Sequence, residues 1–161
     1  MIRRDKLIVC VCPVGSWVTK DANPNAPIQP QEIAEEVYRC QNEGASIVHI
    51  HARDKDGNAT TDPQVFREID TRIRERGSDI IIQHSISTGR GSKYAMKSNL
   101  KYVPENLDFS AAEMGLEALE PNPEISSLDI GVSVMIGAKE RVILWTRNFV
   151  EKAAVGQRNI P

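Results

Sequence analysis

The sequence predicts an α/β fold built on parallel strands, and three observations carry that prediction. Short apolar runs rich in branched residues alternate with segments of helical spacing over the first half of the chain. The connections between them are short, and proline or glycine stands at the expected helix ends. That β-α-β-α-β rhythm implies parallel strands joined by right-handed helical crossovers.

The first strand is read at Lys6–Cys12 (KLIVCVC), an apolar run suited to a buried parallel sheet. A polar loop from Thr19 to Gln29 follows, where Pro24 and Pro27 forbid a helix. Pro30 is placed as a first helical residue; Ile33, Ala34, Val37 and Cys40 then repeat at helical spacing, and Gly44 supplies the stop. Ala45–His51 (ASIVHIH) is the second strand and Asp54–Gly57 (DKDG) a turn. Asp62 is expected to cap a second helix with Pro63 at its first position, an apolar stripe of Phe66, Ile69 and Ile73, and an end at Gly77. Ile80–Gln83 is the third strand. Short helices are expected at Ser92–Leu100 and Ala111–Leu119, a fourth strand at Ile125–Val132, an extended piece at Val142–Trp145 and a further helix from Asn148. Four βα units argue for a barrel or an open doubly wound sheet. A single glycine after the first strand counts against a dinucleotide-binding fold.

The 161 residues are read as a single domain, 40% hydrophobic and 26% charged. A formal net charge of −2 gives no basic field, so no nucleic-acid partner is expected. No apolar run approaches the roughly 18 residues of a membrane span, and the opening segment lacks a signal-peptide core. A cytoplasmic protein with no membrane partner is expected. Three cysteines fit a reducing compartment. Cys10 and Cys12 share a strand face, Cys40 falls on a helix stripe, and all three are read as buried small hydrophobes.

The sharpest chemical feature is His49-Ile50-His51. Residues two apart on a strand face the same way, so both imidazoles can converge on one ion, and parallel barrels place their sites at the carboxyl ends of strands. Imidazole suits zinc at a non-redox centre, although two histidines alone do not complete one, and two core histidines would show the same spacing. His84 at the end of the third strand is a candidate third ligand. Ser85, Ser87, Thr88 and Gly89 lie in a loop able to hold a carboxylate or phosphate. Arg53 can pair either with an anionic substrate or with Asp54 or another carboxylate. Asp129 is central to an apolar run and therefore expected to be paired or functional.

The segments NPNAPIQP (23–30), EIAEE (32–36), EGASIVHIHARD (43–54), DPQVFREI (62–69), IIIQ (80–83), STG (87–89) and PEISSLDIG (123–131) occur in order. Together they resemble the β-keto acid cleavage enzymes. The resemblance implies an α/β fold in the form of a partial (β/α)8 TIM barrel, about the first four βα units, with 1–161 as its amino-terminal half. It also implies homo-oligomers and conversion of a small-molecule β-keto acid and acetyl-CoA into acetoacetate and a new acyl-CoA. By the same resemblance His49 and His51 match two ligands of Zn2+, which acts as a Lewis acid on the keto acid. Ser87 and Ser127 match hydroxyl residues that hydrogen-bond the reacting oxygens.

Three departures from the family pattern stand out. Where an amino-binding member has a glutamate after the first strand, this chain has Trp17, which favours a neutral or apolar keto acid. Arg90 replaces a glycine, and the residues before Ser87 leave Ser85 as its rival. No residue from 1 to 161 matches the family's third zinc ligand, a glutamate, or its catalytic arginine and aspartate. Four units do not close an eight-stranded barrel of about 250 residues. The chain is therefore read as truncated, as completed by a second copy, or as an open sheet. The competing function is a non-catalytic half barrel that binds metal or serves in assembly. A metallohydrolase of the amidohydrolase type also uses H-x-H, but there it normally ends the first strand.

Overall fold

The computed structural model describes residues 6–86, 116–127, 132–134 and 142–144. Four parallel strands lie in sequence order: β1 (Cys10–Val11), β2 (Ile47–Ile50), β3 (Ile81–His84) and β4 (Ile125–Ser126). Helices α1 (Pro30–Asn42) and α2 (Pro63–Glu75) connect the first three, and a 3-10 turn at Leu116–Leu119 precedes β4. Neighbours in sequence are neighbours in the sheet, the order expected when successive βα units are laid side by side.

The helix ends form where their chemistry requires. Asp62 Oδ1 accepts the Gln64 N–H at 2.8 Å, satisfying one of the free donors at the start of α2. Ahead of α1, the Glu32 carboxylate accepts the Ile28 and Gln29 N–H groups and binds Lys20 Nζ at 2.7 Å. These bonds, the Gln29 N–H first, lower the Glu32 pKa and tie the long β1–α1 loop to the helix. Gly44 and Gly77 follow α1 and α2 at φ of 101° and 76°, backbone angles that most side chains avoid.

The core fills one side of the sheet. Ile33, Ala34 and Val37 of α1 and Phe66, Ile69 and Ile73 of α2 pack on Val48, Ile50 and Ile82, all essentially inaccessible to water. The alternate strand positions face the side that neither helix covers, and Ile81 there is 42% exposed. Burying that helix-facing layer stabilises the fold, at about 25 cal/mol per Å² of apolar surface removed from water.

Several expectations change. The first strand shortens to Cys10–Val11, with Leu7 and Ile8 exposed before it. Cys10 and Cys12 are exposed rather than buried: among the described residues β1 ends the sheet, and their shared face is the one that neither helix covers. Cys40 is half-buried against the core. Of the strand expected at Ile125–Val132, β4 holds Ile125–Ser126 and Val132 opens β5 (Val132–Val134), which pairs antiparallel with β6 (Val142–Leu144); 128–131 lie outside the described residues. Of the expected Ala111–Leu119 helix, Leu116–Leu119 is a 3-10 turn. The helices expected at Ser92–Leu100 and from Asn148 lie outside the described residues.

Candidate functional site

Strand register brings the polar residues together at the carboxyl ends. His49 pairs across the sheet with Gln83, and Gln83 with Ile125. Alternation then sends these three to the uncovered face. One step further on, Ser85 N–H donates to the Ile50 carbonyl at 2.9 Å and Ser127 N–H to the His84 carbonyl at 3.1 Å. Those bonds continue the ladder beyond the named strands and set His51, Ser85 and Ser127 in the next row of the same face.

The two imidazoles converge. His49 Nε2 lies 3.1 Å from His51 Nε2, with the rings at 80° to one another. At the outer nitrogens, His49 Nδ1 is 2.8 Å from Gln83 Oε1 and His51 Nδ1 is 2.7 Å from Ser16 Oγ. Burial first, then the neighbouring charges of His49 and Arg53, push the His51 pKa down from 6.5 to about 4. His51 is therefore neutral at physiological pH, the form that ligates a metal.

This arrangement fits a divalent cation. Zinc–nitrogen bonds of about 2.0–2.1 Å at tetrahedral angles place two ligand nitrogens about 3.3 Å apart, close to the observed separation. Each ring also has an outer hydrogen-bond partner that fixes its orientation, as metal-binding histidines usually do. Among the described residues no group of three His, Cys, Asp or Glu side chains is placed to hold a metal. The pair would account for two ligands of such an ion.

His84 is not a third. It pairs in register with Ile50, so its ring enters the helix-facing core at 0% exposure. There Nδ1 donates to the Ala118 carbonyl at 2.7 Å, Nε2 lies 3.0 Å from Asp70 Oδ1, and the ring packs on Phe66. Both nitrogens are engaged on the far side of the sheet from His49.

Arg53, 3% exposed, directs its guanidinium to the carbonyls of Gly57 (2.9 Å), Val18 (3.1 Å) and Gly15. It clasps the loop that carries Ser16 and Trp17, and this placement lends no support to a direct contact with an anionic substrate. Trp17 is 64% exposed and adjoins Ser16, the partner of His51. Ser85 is buried and Ser127 half-buried. Ser87, Thr88, Gly89, Arg90 and Asp129 lie outside the described residues.

Sequence reasoning missed Gln83 and Ser16. A signal for Gln83 was present, since Gln83 and Ser85 alternate with apolar Ile82 and so mark a polar face. Ser16 reaches His51 through the path of a loop, which no local pattern encodes.

A parallel sheet in sequence order, helices on one face and polar side chains at the carboxyl ends define part of a (β/α)8 barrel. The solved structures agree on the fold: apo ObcA superposes with a TM-score of 0.60 at 21% identity, covering 85% of this chain and 29% of that one. The chain belongs to the β-keto acid cleavage enzyme family, whose model matches residues 6–159. It is similar to the 3-keto-5-aminohexanoate cleavage enzyme of Fusobacterium nucleatum subsp. nucleatum, at 30% identity over 92% of this chain and 56% of the relative. It is also similar to the 3,5-dioxohexanoate:acetyl-CoA acetone transferase of Paraburkholderia graminis, at 32% identity over 72% of this chain and 39% of the relative. The chain thus spans about half the length of the curated relatives it matches.

Proposed function

We propose that the protein carrying this chain is a zinc-dependent β-keto acid cleavage enzyme, a cytoplasmic homo-oligomer that takes acetyl-CoA as co-substrate. The observation that carries the metal reading is the 3.1 Å approach of His49 Nε2 and His51 Nε2 at the carboxyl end of β2. Family membership supports the reaction class. In that reaction a β-keto acid gives up its acyl group to the thiol of CoA, and its CH2–carboxylate portion takes the acetyl group in exchange. The products are a new acyl-CoA and acetoacetate, so atoms balance without an oxidant or a further reactant.

His49 and His51 would hold the zinc, with further ligands from outside the described residues. Zinc supplies Lewis acidity toward a keto oxygen and toward the enolate charge that cleavage develops. The hydroxyls of Ser127 and of Ser85 or Ser87 would donate to the reacting oxygens, and by family resemblance Thr88 and Gly89 would take part in binding the substrate. Trp17, on the loop that Arg53 anchors, offers an indole where a carboxylate would select an amino group. The preferred keto acid is therefore neutral or apolar.

The test is a substrate panel with the full-length protein, acetyl-CoA and mass spectrometry of acyl-CoA products. Acetoacetate and a matching acyl-CoA are expected from an apolar keto acid, and Trp17→Glu should move preference toward amino-bearing ones. Absence of both products across the panel with zinc-loaded protein would refute the catalytic reading. An unmoved preference in Trp17→Glu would show that the indole does not line the pocket.

A further inference from the structure

The outer nitrogens of the histidine pair face two chemically different partners. Gln83 presents its amide oxygen, which only accepts, so His49 Nδ1 must carry the hydrogen and donate to it. In a neutral ring that leaves His49 Nε2 with a lone pair aimed at His51. The 3.1 Å contact between the two Nε2 atoms then needs its hydrogen from His51. Bearing its hydrogen on Nε2, His51 accepts at Nδ1 from Ser16 Oγ, 2.7 Å away. A hydroxyl both donates and accepts, so this partner alone tolerates either form of the ring.

Resting on the metal reading of the pair, we infer that Gln83 and Ser16 are positioning residues that set the two ring tautomers. Gln83 fixes His49 with its metal-facing lone pair already presented. Ser16 lets His51 exchange tautomer as a cation arrives. The hydrogen on His51 Nε2 moves to Nδ1, the serine hydroxyl rotates to accept it, and the ring stays neutral throughout. The neutral amide also leaves His49 a weaker base than a carboxylate partner would, which keeps more positive character on the bound ion.

Two readouts test this on the full-length protein. In metal-free protein, imidazole 15N shifts should show His49 with its hydrogen on Nδ1, and Gln83→Leu should move it toward Nε2. In chelator-competition titrations with zinc, Gln83→Leu should weaken binding by about 10–100-fold, whereas Gln83→Glu, which keeps an acceptor, should stay within about threefold of wild type or bind more tightly. Ser16→Ala should weaken binding and Ser16→Thr restore it. If the wild type binds no zinc, or the His49→Ala, His51→Ala double variant retains it, the metal reading fails and this inference falls with it. If zinc binds through the histidines but Gln83→Leu leaves affinity and the His49 tautomer unchanged, the inference alone is overturned.

Discussion

The two faces of the sheet treat histidine in opposite ways. On the helix-facing side His84 is fully enclosed, pressed against Phe66 and held at both nitrogens by Ala118 and Asp70. On the other side His49 and His51 are half-buried, and their inner nitrogens point at each other. His84 and His49 sit on adjacent strands, with His84 only one register step beyond His49's partner, Gln83. The difference teaches that strand parity, rather than nearness to a strand end, separates a histidine that holds the core together from one available to a ligand.

The greatest loss is expected on the helix-facing side. His84→Ala removes a buried ring, leaves the Ala118 carbonyl and Asp70 without their partner, and should cost about 3 kcal/mol of stability. Denaturant unfolding measures that cost, and zinc content should be unchanged. A loss below about 1 kcal/mol, or loss of zinc with the fold intact, would place His84 in the wrong class.

A smaller change is expected at the histidine pair on the other face. The folded pKa of His51, about 4, lies below its ordinary 6.5. Between those values the unfolded chain binds more protons than the folded one, so this contribution is complete above about pH 6.5 and declines as pH falls toward 4. Unfolding of metal-free protein at pH 7, 5.5 and 4.5 should show the decline, and His51→Gln should flatten it. An equal slope in the variant would mean that His51 is not held neutral by its surroundings.

Much of the scaffold was legible in the sequence because its signals are local. Pro30 and Pro63 at helix starts, the Asp62 cap and the glycines at 44 and 77 each act within a few residues of where they stand. The shared face of His49 and His51 was legible for the same reason, since alternation is a property of one strand. The errors arose where the answer depended on a neighbour. His84 looked like a ligand because its position along β3 was readable but its register against Ile50 was not. Cys10 and Cys12 looked buried because the apolar run did not reveal which face of β1 the helices would cover. The hold of Arg53 on the loop before α1 was illegible as well, because the Gly15 and Val18 carbonyls it engages stand some 35 residues earlier in the chain. Ser16 was missed for that reason too, reaching His51 across the same gap.

The most direct test of the metal reading is a zinc-edge anomalous diffraction map from crystals of the full-length protein. One peak is expected about 2.0–2.1 Å from both His49 Nε2 and His51 Nε2, and none beside His84. A zinc peak elsewhere in the protein, or no density between the two rings when zinc is supplied, would contradict it.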